Sequence, residues 1–108
     1  MKSGFIALLI LHIISNSKEP IYGYKIIQEV NQATDGKLKF HEGTVYPILR
    51  YLQAQHFMKS YLGESPTGAP RKYYTITEQG KAALFSGLES WQNLRETLSK
   101  VFESLEVS

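Results

Sequence analysis

The sequence of 108 residues contains no cysteine, which excludes disulfide bonds and thiolate metal sites. Its three histidines, His12, His41 and His56, lack the spacing of metal ligands. Glycine-rich phosphate loops, nucleophile motifs and paired carboxylates are also absent. We therefore expect neither an enzyme nor a cofactor. The lack of cysteine fits a reducing compartment, so we expect a cytoplasmic protein.

Low-complexity segments are absent as well, and the composition is that of a folded protein, with 43% hydrophobic and 20% charged residues. A chain of this length can bury one small core and has little room for a separate catalytic domain. The sequence therefore predicts one compact unit.

Long hydrophobic runs are limited to "FIALLILHII", residues 5–14. This run is too short to span a bilayer. Lys2 is the only charge before it, and "SNSKEP" follows in place of a small-residue cleavage site. We expect no membrane association. A helix that is apolar on nearly all sides is normally buried on all sides, so this helix needs a second surface outside its own domain.

The net charge of +2 is small, but the basic residues are unevenly distributed. Residues 37–72 contain six basic and two acidic side chains, whereas residues 1–36 are balanced and residues 73–108 are acidic. This distribution indicates a polyanionic partner for the middle segment. An ordinary solvated surface is the alternative.

Helical periodicity predicts three helices before residue 55. The first covers residues 5–15, and the second begins near Tyr22 and ends at Gly36, a residue suited to a left-handed stop. The third carries apolar side chains at helical spacing, namely Val45, Ile48, Leu49 and Leu52. We place its start near Thr44, so that Pro47 lies in the first turn, where proline is tolerated.

The second half of the sequence predicts a β-hairpin and a long helix. "FMKSYL" and "RKYYTI" are strand-like, and the turn-rich "GESPTGAP" between them predicts a long tip. From Thr77, the predicted N-cap, a helix of roughly 40 Å runs toward Leu105. Its apolar stripe consists of Leu84, Leu88, Trp91, Leu94, Leu98, Val101, Phe102 and Leu105. Because so long a helix overhangs a small domain, we expect a homodimer.

The predicted fold is mainly α with a small β-hairpin, a winged helix-turn-helix over residues 1–76 followed by a dimerisation helix over residues 77–108. Helix 5–15 also contributes to the dimer interface. In this fold the third helix enters the DNA major groove. Its predicted outward face consists of Thr44, Tyr46, Pro47, Arg50 and Tyr51. These groups can bond phosphates and base edges, although they are also ordinary surface residues.

Other basic and aromatic residues are predicted to contact phosphates. Arg71 and Lys72 lie at the base of the hairpin, while Tyr22 and Lys25 lie at the start of the second helix, where phosphates commonly bind. A packing role for Tyr22 is the alternative. Tyr74 alternates with Ile76 on one strand face and is predicted to be core.

Three segments, "YGYKI", "EGTVYPILRYL" and "GAPRKYYTITEQG", resemble the PadR family of transcriptional regulators. The resemblance covers nearly the whole chain and implies a winged-helix homodimer that binds a double-stranded DNA operator, in most members as a repressor. One departure is His56, which stands where the family usually closes the third helix with glycine.

The segment "LESWQNL" around Trp91 is similar to the one that carries the pore tryptophan of multidrug-sensing, LmrR-like members of the smaller PadR subfamily. In those dimers the paired tryptophans stack on flat aromatic ligands. The implied ligand-binding residues are Trp91, Leu88, Arg95, Phe5, Leu8, Leu9 and His12. Arg95 stands where an acidic residue is favoured, so neutral or anionic aromatics are as plausible as cationic ones. The alternative for Trp91 is a core or dimer-interface role, and the alternative for Phe5, Leu8, Leu9 and His12 is a core role.

Together these observations predict a ligand-responsive repressor that binds a pseudo-palindromic operator as a dimer. The alternative is a winged-helix module that binds a protein partner without contacting DNA.

Overall fold

The computed structural model describes residues 2–37 and 39–107. The sequence "KLKF", residues 37–40, predicts a short extended piece, and its second residue, Leu38, lies outside the described residues. The elements follow in the order α1 (Lys2–Asn16), β1 (Ile21–Tyr22), α2 (Gly23–Ala33), α3 (Glu42–Ala54), β2 (Met58–Glu64), β3 (Pro70–Ile76) and α4 (Glu78–Val107). The predicted fold class is confirmed: three helices, a small antiparallel sheet and a long C-terminal helix form a winged helix-turn-helix with an appended helix.

The core lies where α1, α2 and α3 meet the inner face of the sheet. α1 contributes at least one buried apolar residue per turn. α2 and α3 contribute the apolar residues that recur at helical spacing in the sequence. The buried residues of these helices are Ile6, Ile10, Leu11, Ile14, Ile26, Ile27, Val30, Val45, Ile48, Leu49 and Leu52. Each large apolar side chain that is fully buried contributes about 1.5–3 kcal/mol, so these residues fix the orientation of α3.

The sheet has three strands in the order β1-β3-β2, one strand more than the hairpin predicted from the sequence. The additional strand, β1, pairs Ile21 with Tyr74 and Tyr22 with Tyr73. β2 and β3 pair along their full length from Met58 opposite Ile76 to Glu64 opposite Pro70. The loop between them, residues 65–69, is therefore shorter than the predicted tip. We call β2, this loop and β3 the wing.

Residues in the left-handed region close both α2 and α3. Asp35 and Gly36 adopt φ of 53° and 72° after α2, and the Gly36 N–H donates to the Asn31 carbonyl at 2.9 Å. His56 has φ of 63°, and its N–H donates to the Gln53 carbonyl at 3.0 Å. His56 thus occupies the helix-ending position that glycine most often takes, as predicted.

The start of α3 differs from the prediction, because the helix begins at Glu42 and not near Thr44. The N–H groups of Thr44 and Val45 both donate to the His41 carbonyl, at 2.9 and 3.0 Å. Pro47 therefore lies in the second turn and not in the first. Since proline has no N–H, the carbonyl of Gly43 receives no helical hydrogen bond from that position.

The junction between the wing and α4 is tied to the end of α3. The Gly80 N–H donates to Thr77 Oγ1 at 2.9 Å, which confirms the predicted N-cap, and the same hydroxyl donates to the His56 carbonyl at 2.6 Å. A Cβ at Gly80 would overlap the Phe57 carbonyl oxygen, so only glycine allows this close approach. Leu84 is buried, and the first turns of α4 therefore pack on the core.

Beyond Leu84, α4 continues away from the core. At about 1.5 Å per residue its 30 residues extend roughly 45 Å, and the longest dimension of the molecule is 62 Å. Exposed apolar residues recur along the helix as Leu88, Trp91, Leu94, Leu98, Val101, Phe102 and Leu105, which we call the α4 apolar row. α1 crosses α4 where Leu8 lies against Gly87.

Candidate nucleic-acid interface

One face of α3 is exposed because the opposite face supplies four side chains to the core. Of the five residues predicted on the outward face, the structure places Thr44, Pro47, Arg50 and Tyr51 there. Tyr51 is 56% exposed. This face combines a guanidinium, two hydroxyls and apolar surface, which are the groups that contact base edges and phosphates in a DNA groove.

The fifth residue, Tyr46, is placed differently from the prediction. It is half-buried, and its ring lies against Gly23, where a Cβ would come within 2.7 Å of the Tyr46 hydroxyl. Burial raises the pKa of Tyr46, and the nearby Glu42 charge raises it further. Tyr46 therefore packs α3 against the start of α2, and its hydroxyl stays protonated at neutral pH.

The segment that links α2 to α3 is held by an amide side chain that the sequence did not single out. The Phe40 N–H donates to Asn31 Oδ1 at 2.8 Å, and Asn31 Nδ2 donates to the Phe40 carbonyl at 3.2 Å. Phe40 is itself buried in the core. This pair of bonds imitates a short strand pairing and fixes the connection two residues before α3 begins.

Arg71 is the most closely contacted cation of the wing. Its guanidinium carbon lies 3.4 Å from the centroid of the Tyr22 ring, and its Nε donates to the Tyr73 hydroxyl at 3.0 Å. The Tyr73 hydroxyl donates to the Glu64 carbonyl at 2.7 Å. The neighbouring Lys72 is exposed. The two basic residues predicted as phosphate contacts therefore occupy different environments.

Exposed aromatic and apolar side chains surround these cations. Tyr73 stacks on Tyr61 with ring centroids 5.7 Å apart and contacts Tyr22 edge to face at 6.0 Å. Leu62 on β2 is 71% exposed and stands opposite Lys72. The sequence analysis left the role of Tyr73 open and named neither Tyr61 nor Leu62. Successive side chains of a strand point to opposite faces of the sheet. This alternation, which puts Tyr61 and Tyr73 on one face, is the sequence feature that could have identified the aromatic pair.

A cleft of about 280 Å³ lies between the N-terminus of α2 and β3. Its lining consists of Tyr22, Gly23, Tyr24, Tyr46, Arg71, Lys72 and Tyr74. Burial raises the pKa of Tyr74, and the Arg50 charge partly opposes this effect. Two cations and the first two residues of α2, Gly23 and Tyr24, thus line one cleft. Lys25 does not line this cleft. Its Nζ lies 3.9 Å from Glu29 Oε1.

The residues predicted to bind a ligand are distributed over α1 and α4. The structure brings Phe5 and Trp91 together, with ring centroids 6.1 Å apart and planes inclined by 57°. Leu88 and Arg95 are exposed on α4, while Leu8 and Leu9 are half-buried on α1.

His12 is exposed on α1, and its Nε2 accepts a hydrogen bond from Asn16 Nδ2 at 3.0 Å. It lines a groove between α1 and α2 that also includes Lys25.

Over residues 2–37 and 39–107, no three histidine, aspartate or glutamate side chains are grouped so that they could hold a metal ion. In the same part of the chain, every helix is too short or too polar to traverse a lipid bilayer.

A winged helix-turn-helix with an exposed third helix and a basic wing is the architecture of a DNA-binding transcription factor. Residues 10–86 match the model of the PadR-like family of transcriptional regulators, and the chain belongs to this family.

Several relatives are similar over most of the chain. An uncharacterised protein of Lysinibacillus sphaericus is 32% identical over 95% of this chain and 93% of its own length. The structure of a PadR-like transcription factor from Bacteroides fragilis is 35% identical, with a TM-score of 0.77 over 94% of this chain and 93% of that one. The transcriptional regulator YqjI of Escherichia coli is 30% identical over 88% of this chain, which spans only 43% of that protein. The regulators among these relatives are not enzymes, which points to a non-enzymatic protein.

Replacing Asn31 with alanine should loosen the connection before α3. Because the backbone groups of Phe40 would lose both amide bonds, we expect Asn31→Ala to lower the free energy of unfolding by about 1–3 kcal/mol. Urea unfolding at fixed protein concentration measures this change. Gln28→Ala, at an exposed position of the same helix, is the matched control. Equal effects of the two substitutions would contradict a stabilising role for the Asn31–Phe40 hydrogen bonds.

Proposed function

We propose that the protein is a homodimeric, ligand-responsive repressor that binds double-stranded DNA at a pseudo-palindromic operator. The observation that supports this most directly is the exposed face of α3, with Thr44, Pro47, Arg50 and Tyr51, beside a wing that carries Arg71 and Lys72. Four of the six basic residues in segment 37–72 lie on α3 and the wing, and the other two, Lys37 and Lys39, lie in the linker before α3. The charge that favours DNA is therefore carried by these neighbouring elements.

In this proposal α3 lies in the major groove and Arg50 contacts base edges. Arginine can bond the O6 and N7 atoms of guanine with two parallel hydrogen bonds, which gives it both affinity and base preference. Thr44 and Tyr51 would contact phosphates or base edges beside it. Lys72, which is exposed on β3, would contact a backbone phosphate as a point charge.

A second phosphate contact is proposed at the N-terminus of α2. The first N–H groups of a helix have no partner within it, and the first residues of α2, Gly23 and Tyr24, line the cleft that Lys72 also lines. The positive end of the helix dipole and the Lys72 charge favour an anion at this position. Tyr22 also lines this cleft. Lys25 would contact the DNA backbone on the neighbouring side of α2.

The dimer is proposed from the α4 apolar row, which the rest of the described chain leaves exposed. We propose that residues 1–76 bind DNA and that residues 77–108, together with helix 5–15, form the dimer interface. A second copy of the chain would bury both rows. The two α3 helices would then enter successive major grooves, whose centres lie about 34 Å apart.

A small planar aromatic ligand is proposed to bind between the protomers beside Phe5 and Trp91. Both residues stay partly exposed in the single chain, at 44% for Phe5 and 43% for Trp91, so each retains a surface for stacking. Because Arg95 stands one turn later in place of an acidic residue, neutral and anionic aromatics are candidates on an equal footing with cationic ones. To release DNA, the ligand must bind with higher affinity to a dimer whose α3 spacing no longer fits the operator.

Arg50 and Lys72 should affect DNA binding in different ways. Arg50→Ala should cost about 1–3 kcal/mol on the preferred duplex and relax base preference, because a bidentate base contact is lost. Lys72→Ala should weaken binding to all duplexes alike and reduce the slope of log affinity against log salt by about 1. Fluorescence anisotropy with a selected duplex and a mixed-sequence duplex, over a salt series, measures both effects.

The wild-type protein provides the reference in the same salt series, and its affinity must fall steeply as salt rises. Equal losses on every duplex for both variants would contradict the assignment of roles. A wild-type protein that binds neither duplex at low salt would instead indicate a winged-helix module that contacts another protein.

Leu98→Glu should disrupt the dimer, because it places a charge in the middle of the α4 apolar row, where burial of an unpaired carboxylate is costly. We expect analytical ultracentrifugation at micromolar concentration to show a dimer for the wild type and a shift toward monomer for the variant. Gln92→Glu adds the same charge at an exposed position outside the row and should leave the dimer intact. A wild-type chain that is a stable monomer would refute the proposed assembly.

Trp91 is the only tryptophan and therefore reports directly on the proposed ligand site. Planar aromatic compounds that stack on its ring should quench or shift its emission in the intact dimer. Trp91→Phe, measured by the same anisotropy assay with DNA, tests whether the indole ring is needed for the compound to release DNA. Emission that is unchanged by a panel of cationic, neutral and anionic aromatics would contradict the stacking site.

A further inference from the structure

We propose that Arg71 is a positioning residue that fixes the wing against the start of α2, in contrast to its neighbour Lys72, which contacts phosphate directly. This inference rests on the proposed DNA-binding function, because the wing position matters for a DNA surface. The contacts of Tyr22, Arg71, Tyr73 and Glu64, which we call the Arg71 bracket, carry the argument.

The first part of the bracket connects β3 to β1. The Arg71 guanidinium carbon lies 3.4 Å above the Tyr22 ring, close to van der Waals contact, so the ring shields one face of the cation. Tyr22 is the last residue of β1, and the next residue begins α2. The guanidinium therefore joins the wing to the N-terminal end of α2.

The second part of the bracket extends to the tip of the wing. Arg71 Nε donates to the Tyr73 hydroxyl at 3.0 Å, and that hydroxyl donates to the Glu64 carbonyl at 2.7 Å. Glu64 is the last residue of β2 before the loop 65–69. Because the hydroxyl has a single proton, Tyr73 cannot donate to a DNA phosphate while it holds Glu64. An effect of this hydroxyl on DNA affinity must therefore be indirect.

The ring of Tyr73 is also held by its neighbours on the sheet. It stacks on Tyr61 at 5.7 Å and lies over Gly63, where a Cβ would come within 2.9 Å of the ring. Glycine at position 63 therefore leaves the space that the ring occupies. The bracket is a continuous set of contacts across all three strands of the sheet.

The Arg71 bracket would hold the wing in place before DNA binds. A two-stranded hairpin is only marginally stable alone, and a mobile wing would lose conformational entropy each time it binds DNA. Contacts that hold the wing before binding remove this cost. Loss of the bracket should therefore weaken DNA binding without changing the number of phosphates that the protein neutralises.

The decisive variants change the bracket without changing the charge. Tyr73→Phe removes the hydroxyl between Arg71 and Glu64, and Arg71→Lys keeps the positive charge but loses the Nε geometry. Both should weaken binding to a duplex selected by the wild-type protein about three- to tenfold, which is the range expected for one or two lost contacts. The slope of log affinity against log salt should stay at the wild-type value.

Two controls and a second measurement separate this role from simple loss of charge. Lys59→Ala removes an exposed cation from β2 outside the bracket, and Lys72→Ala removes the proposed phosphate contact. Amide hydrogen exchange of β2 and β3 in the free protein should accelerate in Tyr73→Phe and Arg71→Lys and stay unchanged in both controls. Gly63→Ala, which displaces the Tyr73 ring, should behave like Tyr73→Phe.

One result would overturn the proposal: Arg71→Lys and Tyr73→Phe bind DNA as the wild type does, and Arg71→Ala lowers the slope of log affinity against log salt by about 1. Arg71 would then be a phosphate contact. Unchanged amide exchange in both variants would also overturn it. A wild-type protein without salt-dependent DNA binding would refute the proposed function instead, and the exchange measurement would still decide whether the bracket holds the wing.

Discussion

The apolar row on α4 is the constraint on which the rest of the arrangement depends. α4 is anchored to the core by Leu84 and by the close approach of Gly80 to Phe57, and it then extends beyond the domain. Phe102 is 55% exposed, and burying a side chain of this kind contributes about 1.5–3 kcal/mol. Several such residues on one helix favour association, and in the proposed dimer the anchored start of α4 would fix the winged-helix domain relative to that interface.

The exposed face of α3 is held in place from both of its ends. Before the helix, Asn31 bonds both backbone groups of Phe40, and after it the left-handed His56 turns the chain into the wing. Thr77 then bonds the His56 carbonyl and caps α4 with the same hydroxyl. One side chain thus connects the end of α3 to the start of α4. The start of α4 and the end of α3 are therefore joined by short, directional bonds as well as through the core.

The features predicted correctly from the sequence are those that depend on local periodicity or on single-residue geometry. The stripe of Val45, Ile48, Leu49 and Leu52 is buried, and His56 and Thr77 end and begin helices as expected. β1 was missed because two residues show no periodicity and form a strand only by pairing with β3. Tyr46 was assigned to the outward face because the helical pattern does not include the contact with Gly23 on α2.

The different environments of Arg71 and Lys72 show why a basic pair in a sequence does not by itself define a binding site. Neighbouring residues of a strand point to opposite faces of the sheet. Arg71 shares a face with Tyr22 and Tyr73, so aromatic rings and a hydroxyl engage its guanidinium before any DNA is present. Lys72 is exposed, stands opposite the exposed Leu62, and lies on the strand face that carries the buried Tyr74. The two charges are equal in the sequence, but the contacts that engage Arg71 and leave Lys72 exposed are a tertiary property.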